Sequence, residues 1–448
     1  MRETDVLDKI IALNNTLCEA FQYIQENLQI GTGLTDIIKN FENGVESVLQ
    51  NAVPMLDGKR GNSFQMQTAR LRRACGGLIG SPKSSVQFAK DFSEWENLFS
   101  LYIHIKAINL AAHCKAPQAR QMVPLLEQIL ACPFRLNPQI KSLADFSMSQ
   151  LLRKEEPRRS YELGIEAFEE NPKLCESILK PDARFHNYVY RKVDEIHFHQ
   201  CPSCGGNGTP YYAALLLRAV NYDPMFSPVK LWMKCDCCGQ LFAYNFPRAL
   251  VEPQTEKEEL GDESYMDFRP QYLPVFCNIL KKAISYSGGK KLLEVGAGTG
   301  ELIAAALELG CHVEAVEISK RQSRRIQALL GIPVHCMDFL DFDTSQKFDF
   351  ITMGDVVEHV TKPVDALKKA HGLLKDNGVL WISTPNFESG FSRLLKFNDP
   401  MWNEPYHFSY FSYRVFQKML SENGFQVKDY SISQRYNGSM EIFATRLP

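Results

Sequence analysis

The stretch Lys291-Leu-Leu-Glu-Val-Gly-Ala-Gly-Thr-Gly300, followed by Glu-Leu-Ile-Ala-Ala-Ala-Leu-Glu-Leu309, decides how this chain is read. Leu292, Leu293 and Val295 form an apolar run that breaks into alternating glycines and then into strong helix formers. This predicts a buried strand, a tight turn and a helix. Gly296, Gly298 and Gly300 leave the backbone bare for a ligand, and the new helix offers unpaired N–H groups to an anionic group. The dinucleotide spacing G-x-G-x-x-G is not met, because Glu301 stands where the third glycine should be. The pattern is instead Glu294-x-Gly-x-Gly-x-Gly, with an acid closing the strand.

Downstream, strands and helices alternate, the pattern of a doubly wound parallel sheet. His312-Val-Glu-Ala-Val-Glu317 is the second strand. Its terminal acid stands where a carboxylate accepts both hydroxyls of a ribose. A helix over 320–330 leads to the strand Val334-His-Cys-Met, which ends at Asp338 and Phe339. Next comes Phe348-Asp-Phe-Ile-Thr-Met-Gly-Asp355-Val-Val-Glu358-His359, then a helix to Leu374 and a strand after Asn377-Gly378. Glu404-Pro-Tyr-His407-Phe-Ser-Tyr-Phe411-Ser412 precedes a helix that exits at Glu422-Asn-Gly-Phe. Two last strands are predicted at Val427–Ile432 and Glu441–Ala444.

The glycine turn with its leading acid resembles motif I of the class I S-adenosylmethionine (SAM) methyltransferases. The order of Glu294, Glu317 and Asp338 fits that family. The stretch Asp355-x-x-Glu358-His359 and the His407-x-x-x-Phe411-Ser412 element resemble its ubiquinone-biosynthesis-like, methyltransferase-23-type branch. The resemblance covers residues 265–448 and implies an α/β fold with a Rossmann-like seven-stranded sheet. It implies that Glu294, Gly296, Gly298, Gly300, Glu317, Asp338, Phe339 and Asp355 bind SAM. Glu294 would face the amino-acid part, Asp338 the adenine amino group and the Phe339 backbone the ring. Methyl transfer to a hydroxyl needs placement and the removal of one proton. His407, and after it His359, are the candidate bases, since imidazole titrates near neutrality.

Upstream, Cys201-Pro-Ser-Cys204-Gly and Cys235-Asp-Cys-Cys238-Gly form two Cys-x-x-Cys knuckles over residues 196–250. Two intervening residues let both thiolates of a knuckle meet one ion, and the following glycine supplies a positive φ. Cys201, Cys204, Cys235 and Cys238 are the expected ligands of a zinc ribbon. Four thiolates leave no open position, so the Zn2+ is expected to be structural. Cys237 makes the register of the second knuckle ambiguous. His197 and His199 are not taken as ligands. A ribbon ahead of such a domain also resembles a bacterial architecture that modifies sugars or surface glycans.

Residues 1–190 are expected to form an all-α domain. Val6, Ile10, Leu13, Leu17 and Ile24 mark one stripe, and Ile38, Phe41, Val45 and Val48 a second. Gly31-Thr-Gly33 breaks the chain between them. These stripes serve either an oligomerisation or partner-docking arm, or plain packing within the helical region. Residues 58–84, rich in Gly, Ser, Lys and Arg, read as a solvated linker. A long helix over 86–116 carries Phe88, Phe92, Trp95, Leu98, Leu101, Ile105 and Leu110 on one face. Shorter helices are predicted at 117–131, 140–153 and 158–170.

The 448 residues, 45% of them apolar, suffice for two or three cores. A formal net charge of −2 argues against a dedicated nucleic-acid binder. No apolar run reaches membrane-spanning length, Met1-Arg-Glu-Thr-Asp5 is no secretory leader, and a disulfide framework is not expected. The expectation is a cytoplasmic enzyme acting on a sugar, glycan or other small hydroxylated acceptor. The alternatives are a ribbon-guided RNA methyltransferase and a non-catalytic SAM-binding scaffold.

Overall fold

The computed structural model describes residues 2–27, 34–80, 84–133, 136–252 and 268–448. The Gly31–Gly33 break and residues 253–267 lie outside the described residues. The chain divides into two compact units, Met1–Lys192 and Val193–Pro448.

The first unit is helical: α1 (Glu3–Glu26), α2 (Leu34–Ala52), α3 (Gly58–Gly80), α4 (Ser85–Phe99), α5 (Ile105–His113), α6 (Ala116–Leu130), α7 (Pro138–Leu152), α8 (Pro157–Glu170) and the single turn α9 (Cys175–Ile178). The stripes of α1 and α2 are buried in this unit's core. Phe21 stacks on Phe92 at 4.0 Å, and Phe41 meets Phe88 edge-on at 5.7 Å. These stripes pack within the helical unit.

Two expectations are corrected here. The basic stretch read as a linker is the helix α3. Phe64, Leu71, Cys75 and Leu78 recur at helical spacing and are buried. Lys, Arg and Gln are good helix formers that the glycines masked in the sequence. Arg72 faces outward and pairs with Glu46 at 2.7 Å. The long helix over 86–116 is interrupted by a π turn at Ser100–His104. One extra residue per turn shifts the buried face, so Phe99, Ile103, Ala107 and Ala111 are buried while Leu101 is 54% exposed.

In the second unit, β1 (Glu195–His197) pairs with β5 (Asn245–Pro247), which runs into the single turn α10 (Arg248–Val251). β2 (Gly208–Leu215), β3 (Val229–Cys235) and β4 (Leu241–Ala243) form an antiparallel sheet that carries the knuckles at its end. Its fourth strand, β11 (Ser409–Tyr410), comes from the C-terminal part of the chain and pairs with β4.

The large sheet holds β6 (Lys291–Val295), β7 (His312–Val316), β8 (Val334–His335), β9 (Phe348–Gly354), β10 (Leu374–Pro385), β12 (Phe425–Ile432) and β13 (Ser439–Arg446). The order is β12-β13-β10-β9-β6-β7-β8, parallel from β10 to β8, with β13 antiparallel to both its neighbours. Alternate residues feed two layers. Leu293, Val295, Ile351 and Met353 pack with α14 (Pro363–Leu373) and α16 (Tyr413–Glu422). Leu292, Phe350 and Trp381 pack with α11 (Leu273–Ser287), α12 (Glu301–Glu308) and α13 (Lys320–Leu330). A short helix, α15 (Gly390–Leu395), follows β10. This is the expected doubly wound, seven-stranded sheet. From β6 the chain winds outward through β7 and β8, then returns to β9 on the other side. The reversal opens a crevice at the carboxyl ends of β6 and β9, where ligands bind in such sheets.

Trp95 is fully buried, contacts Phe64 and Phe99, and donates to the Thr68 hydroxyl at 3.0 Å. Trp95→Ala is expected to destabilise the helical unit by about 3–5 kcal/mol. Leu101→Glu is expected to stay within about 0.5 kcal/mol of wild type. Chemical denaturation followed by helical circular dichroism measures both; a large loss for Leu101→Glu would contradict the π-turn phase.

Candidate active site

The end of β6 and the glycine turn build the floor of the crevice. Gly296, Gly298 and Gly300 all adopt positive φ, at +74°, +54° and +93°. At Gly296 an added Cβ would come within 2.5 Å of Val356 Cγ2, whereas at Gly298 it would meet open space. The Gly296 N–H donates to the Val316 carbonyl at 2.9 Å, which ties the turn to β7. Glu317, just past β7, accepts from the N–H of Gly298 at 2.9 Å and of Ser319 at 2.8 Å. A carboxylate has roughly four acceptor sites, so hydroxyls of a nucleoside still find lone pairs there.

Glu294 is buried opposite Thr352 of β9 and shares a hydrogen bond with its hydroxyl. Burial pushes its carboxyl up to about 8, against the pull of Thr352 and Arg435. Glu317 is likewise raised by burial, with its N–H bonds opposing. Asp338 caps the turn Phe339–Asp341 by accepting from the Leu340 N–H at 2.8 Å, and Phe339 is buried.

Past β9, Asp355 sits at φ +56°, a sparsely populated region for a residue with a side chain. Its N–H donates to the Ser383 carbonyl at 2.9 Å, and its carboxylate accepts from the Ser383 hydroxyl and lies 3.1 Å from Arg435 Nη2. Arg435 also donates to Ser383 Oγ at 2.7 Å and lies over Phe276, Trp381 and Tyr436. The sequence reading missed Arg435. It lies between β12 and β13, a region without motif spacing, and only the fold brings it to the crevice.

Glu358, His359 and His407 each bring a donor atom within 4.8 Å of the others. Neither Glu358 carboxylate oxygen meets a hydrogen-bond donor among the described residues. Burial, and then the charge of Asp355, hold this carboxyl well above the usual range. The His359 and His407 rings meet edge-on at 4.8 Å. His359 is open to solvent, and its Nδ1 lies 3.1 Å from the Tyr406 carbonyl. His407 is buried, and its Nδ1 has no partner among the described residues. Burial, then His359 and Lys230, hold its imidazole well below its ordinary value. Burial also lowers His359, though the open face of its ring limits that effect.

The loop carrying His407 is held from two sides. The Glu358 carbonyl accepts from the N–H groups of Phe408 and Ser409, at 2.8 and 2.9 Å. From the cysteine-bearing sheet, Trp232 Nε1 donates to the Trp402 carbonyl and Gln240 to Ser409 Oγ, both at 2.9 Å.

In that sheet the four sulfurs of Cys201, Cys204, Cys235 and Cys238 lie within 4.8 Å of one another, Cys201–Cys238 at 3.6 Å and Cys204–Cys235 at 3.4 Å. Cys237 is exposed and outside the cluster, which resolves the register. Gly205 and Gly239 have φ of +69° and +82°, as the knuckle requires. Their N–H groups close the two turns onto the Cys201 and Cys235 carbonyls, at 2.9 and 3.0 Å. His197 and His199 pack on Tyr244 instead, at 4.6 and 5.2 Å.

Comparisons with known proteins cover the C-terminal part of the chain. Residues 269–430 match the family model described as "Methyltransferase domain". The chain is 30% identical over 132 residues to a ubiquinone biosynthesis O-methyltransferase of Actinobacillus pleuropneumoniae, covering 27% of this chain and 56% of that protein. A Coxiella burnetii protein of the same name is 30% identical over 154 residues, covering 31% of this chain and 65% of its own. The chain thus spans less than two thirds of the length of these curated relatives. Among solved structures it is similar to the 1,6-didemethyltoxoflavin-N1-methyltransferase of Burkholderia thailandensis, at 18% identity and a TM-score of 0.34, covering 42% of this chain and 82% of that one. Residues 269–430 are thus similar to a methyltransferase domain.

Gly296→Ala forces a Cβ into Val356 at positive φ and is expected to cost about 1–3 kcal/mol of stability. Gly298→Ala carries the φ strain without the clash and is expected to destabilise less. Both should weaken binding of S-adenosylhomocysteine at least tenfold in calorimetric titration; unchanged affinity in both would remove the turn from the pocket.

Proposed function

We propose that this protein transfers a methyl group from SAM to a hydroxyl oxygen of a sugar, glycan or other small hydroxylated acceptor. The observation that carries the reading is the end of the sheet itself: a positive-φ glycine turn beside Glu317 after β6, and past β9 a cluster of buried Glu358 and His407 with the exposed His359. The residues fit the cofactor. Open space beside Gly298 lets an adenosyl group lie against bare backbone, and Glu317 has acceptor sites for ribose hydroxyls. When bound, SAM supplies an electrophilic methyl group on a sulfonium.

The chain's own residues do the rest. We assign the proton of the acceptor hydroxyl to His407, whose buried Nδ1 has no partner among the described residues. Its lowered pKa keeps it neutral, and so able to accept that proton, well below pH 6.5. Burial, and then the charge of Asp355, raise the neighbouring Glu358 carboxyl well above the usual range. Oxygen as the target is supported by the O-methyltransferase name of the curated relatives, and the acceptor class by the ribbon-plus-methyltransferase resemblance. We place the reaction in the cytoplasm.

The cysteine cluster is proposed to hold a structural Zn2+. Its sulfur–sulfur spacings of 3.4 and 3.6 Å are near the edge of a tetrahedron with zinc–sulfur bonds of about 2.3 Å. The neighbouring thiols' hydrogen bonds pull Cys238 down to about 5, while burial pushes Cys204 up to about 12, so a cation is needed to ionise the set together.

One feature favours RNA as a second acceptor class. A groove of about 560 Å³ beside the cysteines is lined by Lys234, Arg414 and Lys418, with Lys234 over the Tyr211 ring at 5.5 Å. Against them stands Asp236, bound to Thr209.

Methyl-labelled SAM incubated with glycan, nucleotide-sugar and RNA fractions is expected to label a glycan or sugar. Label in RNA alone would overturn the acceptor assignment. His407→Ala should lower turnover at least a hundredfold with SAM affinity nearly unchanged. In the wild type, the acid limb of the rate profile should fall below pH 6.5; a limb at or above that value would remove His407 as the base. Cys204→Ser should release the zinc and destabilise residues 196–250, read by metal content and limited proteolysis.

A further inference from the structure

Lys230 lies on β3, in the cysteine-bearing sheet, and its side chain is buried. Its ammonium donates to three acceptors of the loop before β11: the carbonyls of Glu404 at 2.8 Å, Pro405 at 2.7 Å and His407 at 2.9 Å. Three donors meet three acceptors, while burial pulls the ammonium down to about 7. The rings of Trp232, Phe226 and Phe246 stand around it at 5.0, 5.9 and 5.8 Å.

Burying a lysine is expensive unless it is paired and hydrogen-bonded. A structural ion pair would be the ordinary explanation, yet Lys230 forms no salt bridge within 4.0 Å among the described residues. The carboxylate of Glu404 is instead held by the side-chain amide of Asn221, at 2.7 and 2.9 Å. The cation is spent on main-chain carbonyls, one of them that of His407 itself. On the far side the same loop hangs from the Glu358 carbonyl. It is therefore gripped between the strand that carries Lys230 and the turn that carries Glu358 and His359.

We propose that Lys230 is a positioning residue of the active site, delivered from the cysteine-bearing sheet to fix the backbone of His407 against Glu358 and His359. The proposal rests on the function given above only in assigning His407 its chemistry. Lys230 has a second effect through space: after burial and His359, it lowers the His407 imidazole below its ordinary value. The charged and titratable groups near that ring are Lys230 from β3 and Glu358 and His359 from the turn after β9. The cysteine-bearing sheet thus shapes the reaction centre without contacting substrate.

The test uses the full-length protein and needs no acceptor. Diethyl pyrocarbonate modification of His407, mapped by mass spectrometry across pH, reports both the exposure and the pKa of the ring. Lys230→Met is expected to raise the His407 modification rate at least tenfold and to move its pKa toward the ordinary histidine value. Exposed histidines such as His312, and the affinity for S-adenosylhomocysteine, should stay within about threefold of wild type. Lys230→Arg keeps the cation and guards against a misfolded methionine variant. It should retain the low pKa of His407 while its modification rate rises, because a planar guanidinium cannot reproduce the three-carbonyl geometry. Wild-type rates and pKa in both variants would overturn the proposal, as would a rise shared equally by all histidines. Failure of the wild type to bind S-adenosylhomocysteine would instead defeat the methyl-transfer reading and leave the histidine result to decide Lys230's role.

Discussion

A carboxylate moved out of water must be compensated or must take up a proton, and this fold gathers four acids at one end of a sheet. Glu294, Glu317 and Glu358 are buried, and Asp355 joins them at the crevice. Each is met differently. Glu317 is held by main-chain N–H groups, Glu294 by a neighbouring threonine, Asp355 by Arg435, and Glu358 by no side chain at hydrogen-bonding geometry among the described residues. Arg435 sits under aromatic rings and answers the whole group from one side. The raised carboxyls of Glu294, Glu317 and Glu358 are the consequence of that burial.

That constraint explains why much of the C-terminal half is legible in the chain. Leu292, Leu293 and Val295 face alternate layers because a central parallel strand is covered on both sides. The acids at strand ends and the glycines between them are local devices that leave a local trace. Both knuckles are legible for the same reason: Gly205 and Gly239 follow their cysteines directly, and the positive φ of each is a property of one residue.

What the chain concealed is long-range. Arg435 reaches Asp355 across eighty residues of sequence, and no spacing announces it. The partnership of Lys230 with the loop at 404–407 joins segments that read as separate modules. In the helical unit, α3 was hidden by glycines and charge, since composition speaks louder than periodicity when the apolar residues are few. The π turn at Ser100–His104 is invisible to a fixed helical period and changes which side of the following helix is covered.

The short strand β11 belongs by chain order to the methyltransferase fold and by hydrogen bonding to the sheet of cysteines. An ancestral cut or graft between the two would strand a fragment of sheet with an unpaired edge on each side, a hazard for self-association. Heredity and engineering alike should then treat Val193–Pro448 as one indivisible piece, exchanged whole or not at all.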